Sequence, residues 1–588
     1  MEPVHQRNTR LIDEKFKQYL LPGIMMAMAL QIGNIVDTIL VGNFLGAEAI
    51  ASIRLVLPVE TIIQIAGYCL GIGASIAAGV LLGKRDKQGA SEIFSAIFWF
   101  TVVWGLLFAV IAPFTAEPIT KLLAAGGGEK LIKMSSDYLL IFMIGSPLLG
   151  IGLFMGSFLG VENHPELASA YMIVSNVFNL LLDYTFLKYT TMGTMGASLS
   201  TVLGYTIGMI VFIWYVKSPK RMVTFVKLKN TKPFKDAFVA SIPMLVFMIM
   251  SFFKELGLNT IIIRYTSDTG LSVHTVCENV LFIIEMVTDG IIGVIPNIAG
   301  ILYGERDYFG IRALCNKTLK YAFAATTVVF ASSLIFTKQI SIMFGITENP
   351  LQQMVITTLQ LFVICLPFHV WNKFLTSYYE TVEQTTQASL VTFLQNGFLV
   401  IPLAWLGIYI DMYHFKGNGL SGLAIGFVSA EALSSLIAYI YRKIKFKGSN
   451  LYMIPSENPG INLDLSIKSD VNETPMIPRE IKEFCVAHGV CKEKANIAAL
   501  AAEEMAVNCI KFGGKSSHWI DICLNIEEDK LLLRIRDNGV PFDPTTYQTE
   551  EDDFDIHGIE VIKAIATKIT YIRAIDLNNT VLEFDKKN

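Results

Sequence analysis

Charge is scarce in this chain: Asp, Glu, Lys and Arg make up 17% of its 588 residues, against roughly 25% in an ordinary soluble domain. That excludes a protein built throughout as a water-soluble fold. A basic excess is also missing. The net charge is −4, and no basic stretch carries interleaved aromatics, which argues against a nucleic-acid partner. The eight cysteines form no CxxC pair and no framework spacing, so they read as buried or free thiols in reducing surroundings. The eight histidines form no HxxxH or HExxH, which leaves no zinc signature. There is no GxxxxGK[ST] stretch, so P-loop ATP-driven pumping is not indicated. The start is polar and charged through Lys17, and the first apolar block is too long for the core of a leader peptide; no cleavable leader is expected.

What is present is apolar residues, at 53%, and they come in blocks. From Phe16 to about Tyr441 the blocks run to roughly 20 residues, the length a helix needs to cross ~30 Å of hydrocarbon. They predict twelve spans, near 17–42, 55–82, 92–113, 136–160, 166–187, 195–216, 238–263, 272–302, 319–340, 355–379, 387–409 and 419–441. Lys and Arg crowd one set of connections. Arg7, Arg10, Lys15 and Lys17 precede the first span, Lys84, Arg85 and Lys87 follow the second, and Lys217 to Lys235 separate the sixth from the seventh. Arg306, Arg312 and Lys317 follow the eighth, and Arg442 to Lys447 follow the last. The alternate connections hold few, Arg54 and Lys121 among them. Both ends are therefore expected in the cytoplasm, of an integral protein of a prokaryotic plasma membrane.

The chain also repeats. Gly79-Val-Leu-Leu-Gly83-Lys-Arg85-Asp86, closing on Gly89, matches Gly300-Ile-Leu-Tyr-Gly304-Glu-Arg306-Asp307, closing on Gly310. Gly193 and Gly196 open the sixth span as Gly419 and Gly422 open the twelfth. Two six-helix lobes follow, residues 1–222 and 223–447, a transporter arrangement with the substrate path between lobes. Duplication for packing alone is the bland alternative. The run Asn34-Ile-Val-Asp37-Thr-Ile-Leu-Val-Gly42-Asn-Phe-Leu-Gly46-Ala, with Gly-Lys-Arg-Asp after the second span, resembles the multidrug and toxin extrusion (MATE) transporters over about residues 15–445. The resemblance implies cation-coupled antiport of small amphipathic, often cationic compounds by rocking of two six-helix bundles.

A charge near the bilayer centre costs at least ~2.5–3.5 kcal/mol on insertion scales, and so faces a cavity or a partner. Asp37 lies in the first span. Asn176, Asn179 and Asp183 stand at i, i+3 and i+7 in the fifth, on one helix face, and Thr201 lies two turns into the sixth. Two carboxylates with amide and hydroxyl oxygens suit Na⁺; the same pair could instead share a proton. Asp37, Asn179, Asp183 and Thr201 resemble the N-lobe cation site of the branch related to the DNA-damage-inducible transporter, which makes Asp37 and Asp183 the Na⁺ ligands if Na⁺ is the coupling ion. Asn176 is added from helical spacing, with helix-gluing hydrogen bonds as its alternative. The C-lobe offers Glu255, Glu278 and Glu285, with Asp289 beside them, while Glu380, Glu383 and Glu431 are expected near span ends, snorkelling to water. Lys254 and Lys373 are the clear candidates for buried cations. An acidic interior favours cationic or neutral cargo over the pyrophosphate lipids or polysaccharides of a flippase, the third reading.

Residues 448–460 are rich in turn formers and read as a linker; 461–588 reads as an α/β sandwich. Strands are expected at Ile461–Ile467, Trp519–Ile526 and Lys530–Arg536 and near 568–575 and 580–585, with helices at Glu480–His488, Glu493–Phe512 and 558–567. Glu504 and Asn508 stand one turn apart. Then come Asp537-Asn-Gly539-Val-Pro541, His557-Gly558 and Asn579-Thr580. This order resembles the histidine-kinase-like (GHKL) ATP-binding fold, especially the anti-sigma-factor serine kinases. By that resemblance Asn508 would hold Mg²⁺ with ATP, Glu504 would activate the attacking group, and Asp537 would accept from the adenine amino group. Gly539 would let the backbone approach the base, Gly558 would present amides to phosphate, and Thr580 would support the adenine side. Pro541, Ile556 and Asn579 stand where the family has glycines, and Glu550, Glu551, Asp552, Asp553 and Asp555 make the presumed lid acidic. A weak ATPase or serine kinase activity stays open, as does a role in docking a cytoplasmic regulatory protein. The second reading of the whole chain is accordingly a membrane receptor coupled to a serine-kinase-like tail.

Overall fold

The structure is a computed structural model and describes residues 7–124, 128–218, 221–229, 231–344, 346, 348–446, 461–514, 518–547 and 557–586. The linker 448–460, the acidic lid residues and Ile556 lie outside the described residues. Among the described residues, twelve helices are long and apolar enough to cross a membrane. They are α1 (Arg10–Leu45), α2 (Glu48–Gly83), α3 (Lys87–Ala124), α4 (Glu129–Val161), α5 (Pro165–Tyr189), α6 (Thr194–Lys217), α7 (Lys232–Ser267), α8 (Thr269–Gly304), α9 (Tyr308–Ile335), α10 (Asn349–Thr381), α11 (Thr385–Tyr413) and α12 (Leu420–Lys445). A helix satisfies all its backbone groups within one segment, as lipid demands. The helices outrun the apolar blocks, so Arg54 lies inside α2 rather than in a connection. Single π-helical turns interrupt α2 at Ile65–Cys69 and α11 at Leu394–Phe398, and Ser267, at φ 64°, breaks α7 from α8.

The first six spans pack chiefly among themselves, and so do the last six. The repeat holds in the backbone. Arg85 and Arg306 both take left-handed φ, 64° and 59°, and Asp86 and Asp307 each accept from the backbone N–H three residues on, at 2.8 and 2.9 Å. Where glycines let one bundle touch the other, all the contacts fall in the half nearest the chain ends. A Cβ on Gly23 would stand 2.7 Å from the Gly290 carbonyl oxygen, and one on Gly83 would stand 2.9 Å from the Gly304 Cα. Gly73 meets Ser241 and Gly160 meets Asn297 in the same half, whereas Gly42 and Gly257 in the far halves meet Ile50 and Ile401 of their own bundles. The bundles are thus shut at the end from which the C-terminal domain hangs.

That domain is a five-stranded antiparallel sheet, β1 (Ile461–Lys468), β2 (Trp519–Ile526), β3 (Lys530–Asp537), β4 (Lys568–Ala574) and β5 (Leu577–Asp585), in the order β1-β2-β3-β5-β4. Helices α13 (Met476–Ala487), α14 (Lys492–Phe512) and α15 (His557–Ile565) accompany it. Strand alternation sends Leu463, Leu465, Ile520, Ile522, Leu531, Leu533, Leu582 and Phe584 into the core with the helices. It sends Asp464, Ser466, Asp521, Cys523, Arg534, Arg536 and Asn579 to the opposite face. That face lies against the spans, not water. Arg7 clamps Asp307 with two 2.7 Å bonds and reaches Asp521 at 3.0 Å. Arg536 meets Asp307 at 2.6 Å and also pairs with Glu305, which accepts from Asn579 as well.

Candidate functional site

Three groups of polar side chains stand out. In the first bundle, Asp37 of α1 and Asp183 of α5 lie within hydrogen-bond reach of each other. Asp183, fully buried, accepts from the Asn179 amide at 3.1 Å and from the Ser200 hydroxyl. Asn179 also reaches the Thr201 hydroxyl at 3.4 Å. Four of the five residues expected from sequence thus meet. Asn176 does not join their hydrogen bonds: its amide donates to the Met172 carbonyl at 2.8 Å, and its oxygen lies where a Gly33 side chain would be. Helical spacing put it on the right face but one turn away, where it seals α5 against α1.

Sequence reasoning passed over three members. Glu60 of α2 is 7% exposed, interacts with Asp37 and lies within hydrogen-bond reach of the Tyr138 hydroxyl of α4; Ser200 is the third. The signal for Glu60 was a lone acid early in the apolar block 55–82. One oxygen each of Asp37 and Glu60 is buried without a hydrogen-bond partner. Orphaned acceptor oxygens beside amide and hydroxyl oxygens are the donor set of a hard cation or of protons.

The second bundle holds a larger ionic cluster than the sequence suggested. His369 of α10 stands between Glu431 of α12, 2.8 Å from Nδ1, and Glu285 of α8, 3.0 Å from Nε2. Both ring nitrogens face carboxylate oxygens, and the Gln395 amide nitrogen also lies 3.0 Å from Nδ1, so the ring bridges the two acids. Lys373 pairs with Asp289 at 2.5 Å and with Glu285 at 3.4 Å. Asn372 and Gln395, the latter turned inward within the π turn of α11, donate to Glu431 at 2.7 and 3.2 Å. Glu431 is therefore no snorkelling residue: α12 begins at Leu420, which places Glu431 mid-span, 5% exposed. Glu278 pairs within its own helix with His274 at 3.3 Å, and Glu255 is exposed. Of the three acids expected here, only Glu285 enters the cluster.

In the C-terminal domain, Asp537 closes β3. Its Oδ1 accepts from the Gly539 N–H at 2.7 Å and the Asn578 amide at 2.9 Å, and its Oδ2 from the Cys509 thiol at 3.3 Å. Burial pushes its carboxyl up, against the pull of the Asn578 and Gly539 bonds. A carboxylate has about four acceptor positions, so room remains for an adenine amino group. Asn508, on α14, is 5% exposed and its amide nitrogen has no partner; an unpaired donor there fits an acceptor such as a phosphate oxygen. Glu504 reaches Gly558, at the first turn of α15, so closely that a side chain on Gly558 would strike its carboxylate. Phe512 stacks on Phe542 at 4.5 Å beside Tyr547. Thr580 is buried on β5 between Ile535 and Tyr571. Asn579 faces away from Asp537, toward Glu305. Asn538 donates to Glu14 of α1 at 2.7 Å, so the turn from Asp537 to Gly539 abuts the first span.

Comparison with known proteins agrees with this arrangement. The MatE family matches residues 22–185 and 243–406, more than half of the chain, and the two stretches start as far apart as Gly79 and Gly300. A histidine kinase-like ATPase domain matches residues 467–584. The multidrug export protein MepA of Staphylococcus haemolyticus is 24% identical over 319 residues, 53% of this chain and 68% of that protein. The probable multidrug resistance protein YoeA of Bacillus subtilis is 21% identical over 442 residues, 73% and 93% of the two chains. A multidrug resistance MATE transporter solved in an outward-facing conformation superposes with a TM-score of 0.66 at 19% identity, over 75% of this chain and 98% of that one. A MOP superfamily transporter of Pyrococcus furiosus gives 0.66 at 19%, over 74% and 96%. This chain belongs to the MatE family of membrane transporters and carries a histidine kinase-like ATPase domain behind its twelve spans.

Proposed function

We propose that the chain is a cation-coupled antiporter of the DNA-damage-inducible branch, exporting amphipathic cationic or neutral compounds, with both ends and the ATPase-like domain in the cytoplasm. The observation that carries this reading is the set of buried Asp183, Asn179 and Ser200 with half-buried Asp37 and Thr201, and buried Glu60 beside them. Na⁺ or H⁺, when bound, supplies the positive charge these acids lack in a low-dielectric interior. Asp37, Asp183 and Glu60 would hold it, and Asn179, Ser200 and Thr201 orient the carboxylates. Because Asp37 is on α1 and Asp183 on α5, the acids' charge state bears on how those helices pack. The lobes 1–222 and 223–447 would then rock about the seam between α2 and α8. The multidrug names of MepA and YoeA support the cargo class.

His369 and Lys373 of the second bundle face acids that match them, which disfavours an anionic pyrophosphate cargo. The test collapses the sodium and proton gradients separately in cells loaded with a cationic dye. The gradient whose loss stops efflux belongs to the coupling ion; efflux that survives loss of both overturns the proposal.

For the C-terminal domain the proposal is Mg²⁺-dependent nucleotide binding by Asn508 and Asp537 in a regulatory role. Calorimetry of the purified full chain should show ATP or ADP binding that needs Mg²⁺ and falls at least about ten-fold in Asn508→Ala, since a polar group aimed at the ligand is lost. Binding unchanged in that variant would remove Asn508 from the site.

A further inference from the structure

The face of the sheet opposite α13 and α14 makes an interface that touches both bundles. From the second bundle come Glu305, Arg306 and Asp307. Arg534 donates to the Glu305 carbonyl at 2.7 Å, and Arg306 pairs with Glu527 at 3.2 Å. From the first come the residues that lead into α1. The Arg7 N–H donates to the Asp464 carbonyl at 3.0 Å, Asn8 N–H to Ser466 at 3.0 Å, and Arg10 lies over the Trp519 ring at 4.2 Å. The centre of this interface is dry: side chains of Arg7, Asp307, Asp521, Arg536 and Glu305 are each 1 or 2% exposed. Burial alone would raise the Asp307 carboxyl, but Arg7 and Arg536 overcome it and hold it well below the usual carboxylate range. Its charge therefore persists at physiological pH.

The β4–β5 hairpin adds an apolar plug. Ile572, Ala574, Ile575 and Leu577 belong to the same packed cluster as Phe16 of α1 and Leu82 of α2. The two-residue turn puts Ile575 at φ 48° and Asp576 at φ 58°. A β-branched residue in that region is strained by about 1–3 kcal/mol, and Asn is the residue a turn of this type prefers there. Ile575 is nonetheless 2% exposed. Its side chain serves the contact with the spans rather than the turn.

Beneath the domain lies the seam where Gly83 meets Gly304, next in the chain to Glu305. We propose that the docked C-terminal domain is a latch: it ties the two bundles together at their shut end, and opening at that end requires it to let go. A transporter alternates by parting its bundles at one end and then the other, and an interface bound to both cannot stay intact when they part here. The kinetic part of this inference rests on the transport reading above; the accessibility part does not.

The test uses the full chain with Cys491, the exposed cysteine, replaced by Ser and Ile301, buried at the seam, replaced by Cys. Two further substitutions loosen the latch independently. Arg536→Ala breaks the ionic centre, and Ile575→Asn removes the plug while relieving the turn, so the domain itself stays folded. Each should speed maleimide labelling at position 301 and the initial rate of dye transport by at least about five-fold, the low end of ordinary coupling. A thiol-cleavable bis-maleimide joining cysteines placed at Arg306 and Glu527 should slow transport, and cleavage of the linker should restore it. Faster labelling with no dye movement would leave the latch standing and remove the exporter reading. Labelling unchanged in both variants, or transport that falls when the domain is freed, would overturn the latch.

Discussion

Asp183→Asn should reduce cation-driven dye efflux to background while leaving a folded, membrane-inserted chain. The substitution keeps size and part of the hydrogen bonding to Asn179 and Ser200, and removes only the ability to carry charge. A buried carboxylate beside a second one, Asp37, is expensive to keep there, and an amide in its place would if anything ease folding. Size-exclusion profile and thermal melting should therefore match the parent while efflux is lost. Lys373→Ala is the contrast, because a flippase reading needs that cation and the antiporter reading does not. Efflux retained in Asp183→Asn would remove the first-bundle acids from the coupling site.

The second large effect is on stability. His369→Ala should destabilise the second bundle by about 3–5 kcal/mol, the cost of stripping the partner from a buried ion pair. Here two carboxylates, Glu285 and Glu431, lose the ring that bridges them at once. Glu431 keeps the Asn372 and Gln395 amides and Glu285 keeps Lys373, which is why the loss stays within that range. His369→Gln, which can donate to only one side at a time, should fall between parent and Ala. Melting temperatures of the purified chain in detergent would rank the three, and equal values would mean that the cluster is open to water.

Much of this was legible in the sequence, for reasons that differ by element. The twelve spans follow from apolar length alone. The pairing of Arg85-Asp86 with Arg306-Asp307 announced a repeat, and both arginines take the same left-handed backbone. The first four strands of the C-terminal domain were placed to within about a residue because their alternation is strict, whereas the last begins three residues before the expected 580, at Leu577. Depth and partnership were harder to read. A helical stripe defines a face, so Asn176 was grouped with Asn179 and Asp183 although it packs against Gly33. Glu431 was set near a span end although it stands central in the apolar block 419–441 as it does in α12; the partners that receive it, His369, Asn372 and Gln395, lie on other helices. Glu60 and Tyr138 come from different helices, and no periodicity on one helix reports a neighbour on another. The same limit hid the docking surface. Arg7 counted only as a charge that sets the topology and Asp307, some three hundred residues away, only as part of the repeat, and Arg536 only as the end of a strand.

The most direct test of the central claim is dye flux in proteoliposomes holding the purified chain, with the imposed gradient of the coupling cation reversed midway and no nucleotide present. Coupled antiport predicts that net dye movement reverses with the gradient in the parent chain and does not respond in Asp183→Asn. Dye movement indifferent to the cation gradient, or movement that starts only when ATP is added, would contradict it.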